Sequence, residues 1–270
     1  MSKITICIPT YNASQFVSEA LDSILAQDEQ DFKVIMVDDA STDNTLDILK
    51  SYCDKDSRFE VYQHKENSGA CGLAIKETLS ACDSEYFMWF AADDKLTRHY
   101  ISSLINLIET TDVDYAYSDF ELINDENKSV GVWKFPIYDI FTYIERLLTT
   151  FSGALPMNGV IKVSKVRDRS LEWLLYKGES RSSDTINGLY FRANGVRMAR
   201  FEQPIFQYRI HINQLTNQTN TRWLSDKNVI DFVFDTFPEI VEHLSKTKNL
   251  TTERFLVEKY REALIKKSNT

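Results

Sequence analysis

Short apolar runs alternate with segments of helical apolar spacing along the first 110 residues of the chain. The runs lie at residues 4–8, 32–37, 59–62 and 86–90. The segments between them carry apolar residues three and four positions apart, as at Phe16, Val17, Ala20, Leu21, Ile24 and Leu25. A strand buried on both faces reads as a continuous apolar run, and a helix packed on one face shows the 3.6-residue period. The pattern therefore predicts a parallel, doubly wound sheet flanked by helices.

Three boundaries in this half follow from single residues. Pro9 is expected to end the first strand, because proline cannot donate to a central ladder. Ser14 is expected to cap the first helix, and the helix after the fourth strand is expected to begin near Thr97. A turn with glycine at position 69 separates the third strand from the third helix.

After residue 110 the strict alternation ends. Strands are predicted at residues 115–117, 120–123, 197–201 and 205–208 and near Val160, and helices at 140–148 and 184–193. Two or three amphipathic helices are predicted after Trp223. Their role as a packing appendage, a homodimer contact or a weak membrane-surface helix is left open. We therefore divide the chain into residues 1–110, 111–220 and a C-terminal helical extension at 221–270.

Composition and charge narrow the class of protein. A chain of 270 residues with 43% apolar and 26% charged residues is typical of a globular protein. A formal net charge of -9 argues against a nucleic-acid partner. The four cysteines contain no CxxC pair, which favours reduced thiols in the cytosol. No apolar run approaches the roughly 18 residues that span a bilayer, so we predict a cytoplasmic protein, with peripheral contact at the inner membrane face left open.

Two aspartate pairs follow strands of the predicted sheet. Asp38 and Asp39 come after the second strand, and Asp93 and Asp94 after the fourth. The carboxyl ends of parallel strands share one edge, which is where open α/β sheets bind ligands. The chemistry suits a divalent cation, Mn²⁺ or Mg²⁺, at the second pair and a base at Asp39, whose carboxylate can accept an imide N–H. The alternative is that each pair caps the helix or turn that follows it.

The order and spacing of these motifs resemble the nucleotide-binding half of the inverting glycosyltransferases of family 2, which have the GT-A fold. The resemblance rests on PTYN at 9–12, VDDASTD at 37–43, glycine near 69 and ADD at 92–94. It extends through residues 154–166 and 182–211 to Thr216. It implies a Rossmann-like, mostly parallel sheet, with a nucleotide-sugar half at 1–110 and an acceptor half at 111–220.

The same resemblance implies roles for individual residues. Nucleotide-sugar contacts are implied for Pro9, Thr10, Tyr11, Asn12, Asp39, Asp93 and Arg209. Metal contacts are implied for Asp94 and His211, and Asp184 stands where the family carries its catalytic base. The residues alone favour Asp184 as the N-cap of its own helix, and only the family resemblance favours the catalytic role. Two positions depart from the family: Ala74 replaces a phosphate-facing arginine, for which Lys76 is a candidate substitute, and Ser183 replaces a glutamate.

The activity that the resemblance implies is sugar transfer in the building of a bacterial surface glycan. The donor is a nucleoside diphosphate sugar, a UDP-sugar for preference, and the acceptor is a saccharide or a lipid-linked saccharide. Three rival interpretations are a magnesium-binding regulatory α/β domain, a sugar nucleotidyltransferase, and an inactive homologue that binds nucleotide sugars or glycans. The first leaves PTYN without a role, and the second needs a basic, glycine-rich loop where PTYN stands.

Overall fold

A computed structural model describes residues 1–69, 71–135, 142–144, 158–166, 183–212, 233, 238–239 and 241–242, with residues 183–186 described by their backbone. Its strands are β1 (Ile4–Thr10), β2 (Phe32–Asp38), β3 (Phe59–Gln63), β4 (Tyr86–Trp89), β5 (Lys95–Leu96), β6 (Tyr115–Ile123), β7 (Ser129–Trp133), β8 (Val160–Lys162) and β9 (Met198–Arg209). Its helices are α1 (Val17–Leu25), α2 (Thr45–Lys55), α3 (Cys71–Ala81), α4 (Tyr100–Thr111) and α5 (Ser183–Ala193).

The first half of the sheet is parallel, as the apolar pattern predicts. Strands β3, β2, β1 and β4 lie side by side in that order. β1 pairs with β2 from Ile4↔Phe32 to Thr10↔Asp38 and with β4 from Ile4↔Tyr86 to Cys7↔Trp89. All four residues of β4 are buried, which agrees with a strand covered on both faces. The mostly parallel, helix-flanked sheet of the GT-A fold is thus confirmed.

The second half of the sheet is mixed, and it joins segments that the sequence pattern separates. Residues 115–117 and 120–123 belong to one strand, β6, and the two predicted late strands are both part of β9. β6 and β9 pair in parallel, and their register shifts between Ser118 and Phe120. That irregularity explains why a periodicity of two breaks at this point in the sequence. β8 lies antiparallel between β4 and β6.

Strand β5 is absent from the sequence prediction and matters for the site. It consists of two residues and pairs antiparallel with β9, through Lys95↔Gln207 and Leu96↔Phe206. A strand of this length has no recognisable period, so it is defined by its partner alone. The pairing brings the end of β9, with Arg209 and the following His211, next to Asp93 and Asp94.

Three predicted boundaries are wrong. Pro9 lies inside β1, paired with Val37. The carbonyl of Cys7 accepts a hydrogen bond from the N–H of Phe90 on the β4 side. Pro9 faces that same side two residues later, beyond the end of β4, so the missing N–H costs no ladder bond.

The two predicted helix starts are also too early. Helix α1 begins at Val17, with Phe16 at its N-cap and no side-chain cap, so Ser14 does not cap it. Helix α4 begins at Tyr100 with His99 at its N-cap. Asp93 and Asp94 therefore do not cap α4, and the cap interpretation of this pair is wrong.

The chain divides into two compact units. The first comprises residues 1–135, 156–180 and 194–211, and the second comprises 136–155, 181–193 and 212–270. Position 110 is not a boundary between these units, and the roles given to the predicted halves stay predictions. The predicted helix at 140–148, apart from its helical residues 142–144, and nearly all of the extension after Trp223 lie outside the described residues. Within the described part of the chain, we find no helix with the length and hydropathy needed to cross a membrane.

Candidate functional site

The carboxyl ends of β1, β2 and β4 form the edge on which the predicted site residues of the first unit gather. In the strand order β3-β2-β1-β4, the connection after β1 leads to β2 on one side of β1, and the connection after β3 leads to β4 on its other side. Such a switch point opens a crevice at the carboxyl ends of the strands, where ligands bind. Tyr11 follows β1 at this edge and is 50% exposed, so its ring has a free surface for a ligand. Asp39 follows β2, and Asp93 follows β4 by four residues.

The residues beside Tyr11 shape the loop that presents it. Thr10 is buried, and its carbonyl accepts a hydrogen bond of 2.8 Å from the N–H of Asp39. Asn12 has φ 48°, a left-handed conformation that asparagine tolerates better than most residues. Its Oδ1 accepts the N–H of Thr42 at 2.8 Å, and its N–H donates to Ser41 Oγ at 2.9 Å. Thr10 and Asn12 thus join the loops after β1 and β2.

Asp39 is held by the loop that follows β3. Its Oδ1 lies 2.6 Å from His64 Nδ1, and its Oδ2 accepts the Ser68 hydroxyl at 3.0 Å. The Ser68 N–H donates to both carboxylate oxygens, at 3.0 and 3.1 Å. Partial burial by itself raises the pKa of Asp39, but the hydrogen bonds from Ser68 and His64 outweigh it and lower the pKa below its usual value. The carboxylate is therefore ionised at neutral pH.

Asp93 and His211 form a second polar pair at the same edge. His211 Nε2 lies 3.0 Å from Asp93 Oδ2, and the side chains are 9% and 31% exposed respectively. The imidazole packs edge-on against Phe16 with 5.0 Å between ring centroids, which fixes its orientation. The described residues contain no cluster of three or more His, Cys, Asp or Glu side chains arranged to hold a metal ion.

Asp94 points into the protein. It is 1% exposed, and its Oδ1 accepts the backbone N–H of Arg209 at 2.9 Å. This bond ties the carboxyl end of β9 to the turn after β4. The metal contact implied for Asp94 stays a prediction, and the accessible carboxylate of the pair is that of Asp93.

Arg209 is fully buried and bonded within the protein. Its Nε donates to the carbonyl of Asp93 at 2.8 Å, and its Nη2 donates to Glu19 Oε2 at 2.9 Å. Its guanidinium carbon lies 4.4 Å from the centroid of Phe16. A side chain with no exposed surface offers none to a diphosphate, so this geometry does not support the nucleotide-sugar contact implied for Arg209. The residue instead supports the turn that carries Asp93 and Asp94.

Ala74 explains the departure from the family pattern on α3. It is 3% exposed and packs in a cluster with Ile35 and Val37 of β2. This position faces the sheet, so an arginine there could not reach the ligand edge without leaving the helix–sheet interface. Lys76, two residues on, is half-buried.

Asp184 is the second residue of α5, in the second unit, and its side chain is outside the described residues. The predicted helix at 184–193 is confirmed, and Asp184 lies within its first turn. The role of Asp184 as catalytic base stays a prediction.

His64 and Glu77 were missed by the sequence reasoning. His64 follows β3 directly and lies 2.9 Å from Glu77 Oε2 of α3 through its Nε2. The signal was present, because His64 stands at the carboxyl end of a predicted parallel strand. The rule that selected Asp39 and Asp93 selects His64 when it is applied to the third strand as well.

Comparison with known proteins agrees with this architecture. An uncharacterized glycosyltransferase of Rickettsia typhi is 36% identical over 129 residues, which are 47% of this chain and 39% of that protein. A poly(ribitol-phosphate) beta-glucosyltransferase of Bacillus spizizenii is 31% identical over 134 residues, which are 49% of this chain and 21% of that protein. The chain thus spans well under half the length of these relatives.

Two solved structures share the fold. Staphylococcus aureus TarS 1-349 in complex with UDP-GlcNAc matches with a TM-score of 0.63 and 18% identity over 87% of this chain and 73% of that chain. The mannosyltransferase PcManGT from Pyrobaculum calidifontis, in complex with GDP-Man and Mn²⁺, matches with a TM-score of 0.56 and 14% identity over 98% of this chain and 81% of that chain. Residues 5–169 match the family model described as Glycosyl transferase family 2. With more than half of its residues in that match, the chain belongs to glycosyl transferase family 2.

Proposed function

We propose that the protein is an inverting glycosyltransferase that moves a sugar from a UDP-sugar to a saccharide or lipid-linked saccharide acceptor of a bacterial surface glycan. One observation carries the proposal. The exposed ring of Tyr11, the ionised carboxylate of Asp39 and the Asp93–His211 pair stand on one edge of the sheet, at its switch point. Family membership excludes the regulatory-domain and nucleotidyltransferase interpretations.

The nucleoside would bind at Tyr11 and Asp39. Tyr11 offers an aromatic face for stacking on a base, at a contribution of about 1–3 kcal/mol. Asp39 is an acceptor at both oxygens, which suits a base that presents an imide N–H. The TarS structure with UDP-GlcNAc supports a uridine nucleotide as the donor's carrier.

A divalent cation fits the Asp93–His211 pair. Carboxylate oxygen and imidazole nitrogen are both ligands of manganese, and two protein ligands with substrate phosphates and water are typical of magnesium-type sites. Asp93 Oδ2 and His211 Nε2, which lie 3.0 Å apart, are the atoms that would hold the ion. When bound, the cation would offset the charge that grows on the departing diphosphate.

We propose Asp93 and His211 as the metal ligands, in place of the Asp94 and His211 pair that the family resemblance implies, and we propose a positioning role for Asp94. The Asp94 carboxylate holds the N–H of Arg209, which fixes the end of β9 two residues before His211. Arg209 in turn holds the carbonyl of Asp93. Buried Asp94 and Arg209 thus fix the positions of the partly exposed Asp93 and of His211.

Asp184 is proposed as the general base. It would take the proton of the acceptor hydroxyl while that oxygen bonds to the anomeric carbon. In the same displacement the bond from the anomeric carbon to the diphosphate oxygen breaks, and its electron pair leaves with the diphosphate. A single displacement inverts the anomeric configuration, and a base of this kind contributes about 10²–10⁴-fold in rate.

A panel of nucleotide diphosphate sugars, screened by thermal unfolding with and without Mn²⁺, tests the donor assignment. Ligands that bind the folded state raise the unfolding temperature. We expect UDP-sugars to raise it and Mn²⁺ to enlarge the effect, with GDP-mannose as the matched comparison. A protein that no uridine nucleotide stabilises would overturn the proposal. Binding without turnover on any saccharide acceptor would instead support the inactive-homologue interpretation.

A further inference from the structure

A hydrogen-bonded chain of three ionisable side chains links the proposed nucleoside site to helix α3. Glu77 Oε2 lies 2.9 Å from His64 Nε2, and His64 Nδ1 lies 2.6 Å from Asp39 Oδ1. The side chains of His64 and Asp39 are 17% and 14% exposed, and that of Glu77 is 51% exposed. The backbone N–H of His64 donates to the carbonyl of Asp38 at 2.8 Å, which anchors the ring's position at the end of β3. The proposed transfer reaction uses neither His64 nor Glu77.

Both ring nitrogens of His64 face carboxylate oxygens. A neutral imidazole has one N–H, so one of its nitrogens would direct a lone pair at a carboxylate. The imidazolium form has two N–H groups and satisfies both contacts. Partial burial by itself lowers the pKa of His64, but the hydrogen bonds and charges of Asp39 and Glu77 outweigh it and raise the pKa above its usual value. Asp39 and Glu77 are the two carboxylates within hydrogen-bond distance of the ring.

We propose that His64, held by Glu77, is a positioning residue that fixes the Asp39 carboxylate for hydrogen bonding with the imide N–H of a uracil base. The inference rests on the proposed function, since it assigns a partner to the nucleoside site. His64, at the end of β3, makes a hydrogen bond to Oδ1 of Asp39 through its Nδ1. Oδ2 accepts both the N–H and the hydroxyl of Ser68. The hydroxyl can rotate away, and a carboxylate oxygen accepts two hydrogen bonds, so Oδ2 keeps one accepting position for a base.

The chain makes nucleotide affinity depend on the protonation of His64. When the imidazolium loses its proton, one of the two carboxylate contacts is replaced by repulsion between a lone pair and an anion. In either tautomer the hydrogen bond to Asp39 also loses the positive charge that strengthens it. Asp39 is then less firmly held, and affinity falls as the pH rises through the pKa of His64. By linkage, a bound uridine nucleotide raises that pKa further.

Calorimetric titration with UDP at constant Mg²⁺, between about pH 7 and about pH 8.5, tests the inference, because a phosphate whose second pKa is about 6 is largely ionised over that range. Glu77→Gln keeps an oxygen acceptor for His64 but removes its charge, and we expect the affinity to begin falling at a lower pH than in the parent protein. Glu66→Gln is the matched control, because Glu66 is exposed on the neighbouring loop and makes no described bond to His64. The substitution removes the same charge as Glu77→Gln. All other residues of the site are the same in both variants, so their contributions cancel in the comparison. Identical pH profiles for the two variants would overturn the inference.

His64→Gln provides a stronger test. We expect UDP affinity to fall about tenfold and to vary less with pH than in the parent protein. The ring resonances of His64 in the unmodified protein give a readout that does not depend on a variant folding. UDP should move their titration midpoint to higher pH, and an unmoved midpoint at saturating UDP would contradict the inference. A parent protein that binds no uridine nucleotide at any pH would overturn the proposed function itself. Binding with an unmoved midpoint would overturn the role of His64 alone.

Discussion

The imidazole of His211 meets the carboxylate of Asp93, with Nε2 3.0 Å from Oδ2, although the two residues are 118 positions apart in the chain. The contact depends on β5, whose antiparallel pairing with β9 carries the end of that strand back to the turn after β4. The neighbouring Asp94 is turned inward to the N–H of Arg209. The two adjacent aspartates thus have different environments: Asp93 is partly exposed and can contact a ligand, whereas Asp94 is buried and accepts a backbone N–H.

Asp93→Ala should abolish the contribution of Mn²⁺ to UDP binding. The variant removes one of the two proposed metal ligands, so UDP affinity measured by calorimetry should become the same with and without the ion. His211→Ala should have the same effect, because it removes the other ligand. Retention of the full Mn²⁺ effect in Asp93→Ala would move the metal to another group.

Asp94→Ala should act mainly on stability. It leaves the buried N–H of Arg209 without its acceptor, at a cost of about 1–3 kcal/mol in the free energy of unfolding. Urea denaturation gives the quantity directly, and Asp93→Ala is the matched control because its carboxylate is partly exposed. Equal losses of stability in the two variants would contradict the division of roles.

Arg209→Lys should destabilise the protein nearly as much as Arg209→Ala does. Lysine has one ammonium group, which cannot reach the carbonyls of Asp93 and Asn124 and the carboxylate of Glu19 together. Removing one partner from a buried charged network costs about 3–5 kcal/mol. The midpoint of urea unfolding measures this loss. If Arg209→Lys instead has the stability of the parent protein and binds UDP more weakly, Arg209 contacts the diphosphate.

Asp184→Asn should leave UDP affinity close to that of the parent protein while kcat falls by about 10²–10⁴-fold. The amide keeps the size of the side chain and loses its capacity to take a proton. Calorimetry and a transfer assay on the same preparation separate binding from turnover. Full turnover in the variant would exclude Asp184 as the base.

Asp43 should account for part of the acid sensitivity of the fold. Partial burial raises its pKa, but hydrogen bonds from Ser14 and Thr45 outweigh that effect and lower the pKa to about 2. Since the folded-state value lies below the ordinary value of about 3.9, Asp43 stabilises the fold above pH 4 or so, and this contribution is lost as the pH falls towards 2.

Thermal unfolding of the parent protein and of Asp43→Asn at about pH 5 and about pH 2.5 measures the contribution of Asp43. At about pH 5 the variant should have a lower unfolding temperature than the parent protein. Between that pH and about pH 2.5 its unfolding temperature should fall by less than that of the parent protein. An equal acid-induced loss in both proteins would show that Asp43 does not contribute to the acid transition.

The local sequence determined the parallel half of the sheet. Continuous apolar runs such as that of β4 have one stable environment, between two layers of helices, and helical spacing of apolar residues specifies those layers. The motifs after β1, β2 and β4 could be placed on one edge for the same reason, because parallel strands share their direction. Tyr11, Asp39 and Asp93 were found in this way.

Tertiary structure decided everything that depends on pairing between distant segments. β5 has two residues and no period of its own, so its pairing with β9 could not be predicted. Because of that pairing, Asp93 is partly exposed and Asp94 is buried, although the sequence alone does not distinguish the two. The pairing also places Arg209 inside the protein, where its charge is satisfied by Glu19 from the far end of the chain. A sequence records which side chains can bind a ligand, whereas burial, which only the packed fold defines, decides which of them remain accessible to it.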